Sequence, residues 1–232
     1  MPGLPVSALM VVCPVTAAVI LSYRQHGIQG VSRLRKRSAD VHRLGSLLWL
    51  IPAALLKPGL FAISYAVMLW MGVSLPTHQL GGAALLALVF FLSALAEELG
   101  WMGYAVGQME RRIQALGAGI VLGLIWAGWH IIPFLQADRS LSWIGWQCLY
   151  LVSSRILIVW IFNNTGRSVF VAALFHASGN LSWQLFPVQR SAYDPRITGS
   201  IATLVAILVI ATWGPRTLTG RKESTVLAQH SQ

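Results

Sequence analysis

Charge is scarce in this 232-residue chain. Only 10% of its residues are Asp, Glu, Lys or Arg, and only seven are acidic, whereas an average soluble domain carries about 25% charged residues. So few charges cannot cover a water-soluble globule of this size. Disorder is excluded as well, because 56% of the residues are hydrophobic and disordered chains are poor in apolar residues. Cysteine is nearly absent: Cys13 and Cys148 both lie in apolar runs, which excludes a disulfide scaffold or a cysteine metal cluster. Neither an H-E-x-x-H motif nor an internal repeat is visible. What the chain has in quantity is long apolar runs, with a mean hydropathy of +0.65. The expected class is an all-α, polytopic transmembrane helical bundle.

A net charge of +10 raises the question of nucleic acid, but the distribution argues against that partner. Lys and Arg cluster in short segments between apolar runs, as in the cytoplasmic loops of membrane proteins. A crossing needs about 20 mostly apolar residues, and seven candidates fall at about 4–22, 45–72, 81–106, 115–136, 141–162, 168–187 and 197–214. The run 45–72 is interrupted by Pro52 and by Lys57-Pro58, so it reads as one kinked crossing or two shorter ones, giving seven to eight spans. The N-terminal run has no Lys or Arg before it and is read as a retained span. With segment 24–43 inside, twelve loop and tail Lys and Arg lie on the inner side and three on the outer. That bias puts the C-terminus in the cytoplasm. Residues 1–216 form one membrane domain on this reading, and 217–232 a polar cytoplasmic tail. The basic segment 24–43 is expected on anionic headgroups.

Five acidic residues lie in loops, span ends or the tail, but Glu97 and Glu98 are adjacent inside the apolar run FFLSALAEELGWMGYAV. A carboxylate near the bilayer centre costs about 2.5–3.5 kcal/mol on insertion scales, so such residues face a wet cavity or a partner. His130 lies in the next span, within IWAGWHIIPF. His176 and Asn180 follow in LFHASGNLSW, one turn apart and on one helix face. Polar groups that avoid lipid find one another, so Glu97, His130, His176 and Asn180 are expected to share one intramembrane polar cavity. Straight helices rising 1.5 Å per residue would put His130 nearer the outer side than Glu97 and His176. One shared site therefore requires a deeper start of the fourth span or helix breaks near Gly100, Gly103 and Pro133. Trp101, Trp126 and Trp129 neighbour the site and could wall it. Gly117, Gly119 and Gly123 would permit close helix contact.

These segments resemble a known family. Glu97-Glu98 through Tyr104 is similar to the E-E-x-x-x-R motif of the CAAX protease and bacteriocin-processing family of intramembrane proteases, which includes type II CAAX prenyl endopeptidases. Trp126 to His130 resembles its second motif, and His176 to Asn180 its third, H-x-x-x-N. The stretch from Asn164 to Ser168 also resembles family sequence. Order and spacing agree over about 85–183. One position departs: the motif arginine is Met102 here. Glu98 and residue 102 are an i,i+4 pair, while Glu97 points about 100° away, so the motif implies that the first glutamate works and the second is held by the arginine. With methionine present, Glu98 needs another partner. Arg155, inside the apolar run SSRILIVWIF, is the candidate.

The resemblance implies peptide hydrolysis at the bacterial inner membrane, on a prenylated tail, a peptide precursor or a membrane protein. Glu97 would be the general base, His130 would orient the water, and His176 and Asn180 would donate to the oxyanion. No cofactor is required by that version. A metal version stays open, in which Glu97, His130 and His176 would supply one oxygen and two nitrogens to zinc. Two other functions compete: a non-catalytic scaffold or immunity-type member of the family, favoured by Met102, and a proton-coupled transporter using Glu97 and Glu98 as a relay. The oligomeric state is not readable from the sequence.

Overall fold

The computed structural model describes residues 11–73, 82–185 and 193–220, and all regular structure among them is helical. The helices are α1 (Val12–Lys36), α2 (Leu50–Trp70), α3 (Ala83–Gly100), α4 (Val106–Gln136), α5 (Leu141–Asn164), α6 (Val169–Leu185) and α7 (Pro195–Trp213), with a π-helical turn at Trp101–Ala105 joining α3 to α4. Among the described residues, four helical stretches are long and apolar enough to cross a membrane: Leu47–Trp70, Ala83–Gln136, Leu141–Asn164 and Pro195–Trp213.

The second stretch has 54 residues, about 81 Å if straight at 1.5 Å per residue, far beyond the roughly 30 Å hydrocarbon core. It breaks at Ile113–Gln114, where Gln114 has φ 63° and ψ 173°. The two expected spans 81–106 and 115–136 are thus separated by a sharp backbone bend. The polar residues 107–112 do not form the expected loop; they are helical up to the bend.

Of the two expectations on the N-terminal side, residues 4–10 of the first lie outside the described residues, and the second resolves to one of its two alternatives. The described part of the predicted span 4–22 belongs to α1, which continues through the basic residues to Lys36 and is not among the stretches apolar enough to cross. Gly27, with φ 59° and ψ −154°, bends α1, and a Cβ at Gly30 would lie only 2.4 Å from the Ser22 carbonyl oxygen. The run 45–72 is one helix after a 3-10 turn at Leu47–Trp49. Pro52 falls in the first turn, where the missing donor has no helical acceptor anyway, and Pro58 is carried within the helix.

α5 is the centre of the bundle. Every residue from Ser153 to Phe162 is buried, because α4, α6 and α7 all pack on it. Two of the expected close-contact glycines serve this packing: a Cβ at Gly119 would sit 3.2 Å from Ile156 Cα, and one at Gly123 2.9 Å from Val152 Cα. Gly117 meets only Ile113 of its own helix.

The basic segment is fastened to the protein rather than turned wholly to headgroups. Arg37 donates to the carbonyls of Gly103 (2.8 Å) and Arg167 (2.6 Å). Asp40, only 1% exposed, accepts from Ser168 Oγ (2.8 Å) and from the backbone N–H groups of Val169 (3.2 Å) and Phe170 (3.1 Å). It thereby caps α6, whose first-turn donors have no helical partner. The expected tail starts out docked: Asn163 and Asn164 donate to the carbonyls of Thr217 and Leu218, and Leu218 is buried. Residues 221–232 lie outside the described residues.

Candidate active site

The C-terminal end of α3 delivers both glutamates to the face of α5 and α6. Glu98 is fully buried. Its carboxylate accepts from Arg155 Nη1 at 2.7 and 2.9 Å and from His176 Nδ1 at 2.8 Å. The cross-helix partner that the sequence required for Glu98 is therefore Arg155, while Met102 is packed into the core at 1% exposure. Because a carboxylate only accepts, the His176 bond must be Nδ1–H donating. In the neutral ring this leaves Nε2 with a lone pair and no hydrogen.

Trp126 is the hub of the second layer. Its ring lies 4.3 Å from the Arg155 guanidinium and meets His176 and His130 edge-on, with centroids at 5.1 and 5.2 Å. Trp101 lies 5.9 Å from the same guanidinium and packs on Trp129 at 5.8 Å. His130 donates through Nδ1 to the Trp126 carbonyl at 2.7 Å, again leaving Nε2 as an acceptor. The depth mismatch of straight spans is thereby reduced: Trp126, one turn before His130, sits level with Glu98, Arg155 and His176, and His130 reaches the cluster through it.

The site has two layers. Glu98, Arg155 and His176 are sealed, at 1% exposure or less. Glu97, His130 and Asn180 are half-buried, with Glu97 facing the Trp126 indole. Asn180 lies one turn beyond His176 with no side-chain hydrogen bond to any described residue.

Lys57 belongs to this cluster and was read in the sequence only as a helix interruption. It is 2% exposed and interacts electrostatically with Arg155, Glu98 and Glu97. Its ammonium stands 4.8 Å from the Phe175 ring centroid, against Gly179. The signal was available: Ala53, Lys57, Leu60, Phe61, Ser64 and Met68 form the buried stripe of α2, with a helical period.

The zinc set Glu97, His130 and His176 is not assembled. Among the described residues no group of three or more His, Cys, Asp and Glu side chains could hold a metal ion. The acid bonded to His176 is Glu98, and the Trp126 ring packs against both imidazoles.

The fold and this centre define an all-helical membrane protein with a buried acid–imidazole–guanidinium cluster. Residues 77–182 match the family described as Type II CAAX prenyl endopeptidase Rce1-like. CAAX prenyl protease 2 of Methanococcus maripaludis is 26% identical over 174 residues, covering 67% of this chain and 63% of the relative. Lysostaphin resistance protein A of Staphylococcus haemolyticus is 26% identical over 144 residues, covering 60% of this chain and 36% of the relative. The alignments thus span less than two thirds of either relative's length. Through residues 77–182 the chain is similar to the Rce1-like family.

Proposed function

We propose that this protein is an intramembrane endopeptidase in which Glu97 activates the attacking water. The observation that carries the reading is the saturation of Glu98: Arg155 and His176 occupy its carboxylate, so the neighbouring, half-buried Glu97 is the acid left for chemistry. Water adds to the scissile carbonyl carbon and gives a proton to Glu97, while the carbonyl π pair moves onto oxygen. Glu97 then passes that proton to the departing amine as the C–N bond breaks. His130 Nε2, an acceptor held by the Trp126 carbonyl, orients the water. The Arg155–Glu98 pair supports the catalytic reading despite Met102, since it supplies the positive charge that the motif arginine would bring.

The name of the archaeal relative makes a prenylated peptide the first substrate class to try. The reading places the protein in the bacterial inner membrane with its C-terminus in the cytoplasm. Cleavage of prenylated and unmodified peptides by purified protein in liposomes tests it. Glu97→Ala, His130→Ala and His176→Ala should each lose at least about 100-fold, the scale of a general acid–base group. Full activity in Glu97→Ala removes the mechanism.

A further inference from the structure

Three kinds of hydrogen-bond donor near the centre have no hydrogen-bond acceptor among the described residues. The Lys57 ammonium has no acceptor among the described residues, although the side chain is 2% exposed. Arg155 spends Nη1 on Glu98, but its Nε and Nη2 are buried without a partner. The Asn180 amide is unused. A buried, unsatisfied donor costs about 1–3 kcal/mol, more when charged, so a lysine in a helix-packing stripe calls for a role.

The packing around Lys57 is made for it. A Cβ at position 179 would lie 2.3 Å from Lys57 Cδ and 3.0 Å from Nζ, so Gly179 leaves the channel through which the stem reaches α6. The head emerges between Phe175 and Gly179, on the turn that carries His176 and Asn180. His176, meanwhile, has its only neutral-ring hydrogen committed to Glu98. The oxyanion role that the motif implies for His176 thus lacks a hydrogen in the neutral ring, and one turn away sits an ammonium with no hydrogen-bond acceptor among the described residues.

Resting on the proteolytic reading, we propose that Lys57 is a catalytic residue: its ammonium, together with the Asn180 amide, donates to the oxygen on which negative charge develops during attack on the scissile carbonyl. Lys57 stays protonated throughout. The water proton travels through Glu97 to the amine, and the oxyanion collapses with loss of the amine. Charge balance agrees with this assignment: Glu97, Glu98, Arg155 and Lys57 are two acids and two bases, and as Glu97 takes the water proton its negative charge reappears on the carbonyl oxygen, where the donors meet it. Donors placed for that moment act more strongly in a water-poor site than in water.

The test compares Lys57→Met, which keeps the length and removes charge and donors, with wild type and Lys57→Arg. Two ligands are used: a prenylated-cysteine peptide, and its phosphinate analogue, in which a tetrahedral P–O⁻ stands at the scissile carbonyl. Lys57→Met should lower kcat by about 100-fold or more, the scale of a lost oxyanion donor. It should weaken phosphinate binding by a similar factor and leave peptide binding within about threefold. Lys57→Arg should recover part of kcat. Wild-type kcat and phosphinate affinity in Lys57→Met overturn the proposal, and so does an equal loss of peptide and phosphinate binding, which would make Lys57 structural. Absence of peptide cleavage by the wild type would instead fail the proteolytic reading itself.

Discussion

Arg155 grips Glu98 across 57 residues of sequence, with Nη1 2.7 and 2.9 Å from the two carboxylate oxygens, and both side chains are fully buried. The pair supplies from the central helix the positive charge that the family motif places one turn along the same helix. Breaking such a pair leaves an uncompensated buried charge, worth about 3–5 kcal/mol. Arg155→Met should therefore destabilise the protein by that amount in thermal unfolding, with activity falling in parallel. Adding Met102→Arg to it should restore at least half of the loss, because residue 102 is on the face of Glu98.

Close packing of α4 on α5 gives a cleaner contrast. Gly123→Ala places a Cβ 2.9 Å from Val152 Cα, whereas Gly128 has nothing within 4 Å. The first should cost about 1–3 kcal/mol, the range for overpacking. Gly128→Ala should stay within about 0.5 kcal/mol of wild type or gain slightly. Unfolding of the two variants side by side in the same detergent checks this.

Asp40 anchors the start of the helix that carries His176, although it lies 128 residues before Ser168. Asp40→Ala strips Ser168, Val169 and Phe170 of their acceptor, and the loss of a helix cap costs about 0.5–2 kcal/mol. Activity should fall further than stability alone explains, because α6 positions His176 and Asn180. Asp40→Asn, which keeps an acceptor oxygen, should recover part of both.

Asp194 caps α7 and gives a pH dependence. Burial pushes its carboxyl up, but hydrogen bonds from the Arg196 side chain and backbone N–H, with the guanidinium charge, outweigh that and hold it below the usual value. A depressed folded value means stability that is present above the unfolded value of about 3.9 and lost as pH falls through the folded one. Asp194→Ala should thus cost about 1 kcal/mol at pH 7. The gap in melting temperature to wild type should narrow below about pH 4.

Much of this was legible in the sequence because lipid enforces a simple rule: apolar runs become helices, and the rare charges inside them seek each other. That rule found α5 and Arg155, and it matched Arg155 to Glu98 once Met102 left the acid without a partner. It misled at α1, where basic residues read as a loop continue a helix that turns at Gly27 and is pinned to the bundle by Arg37. The π turn at Trp101–Ala105 and the bend at Gln114 left no compositional mark, so the depth of His130 could not be set beforehand. Lys57 was missed because its proline neighbour drew attention to the backbone, although its place on the buried stripe of α2 was readable.

The central claim is a division of labour between adjacent glutamates, and one side-by-side comparison addresses it. Cleavage of a prenylated peptide and thermal unfolding are measured for Glu97→Gln and Glu98→Gln in the same liposomes and detergent. Glu97→Gln should lose at least about 100-fold in kcat with an unchanged melting temperature, while Glu98→Gln should unfold several degrees lower. Retained cleavage in Glu97→Gln, with activity lost only in a well-folded Glu98→Gln, would contradict the account.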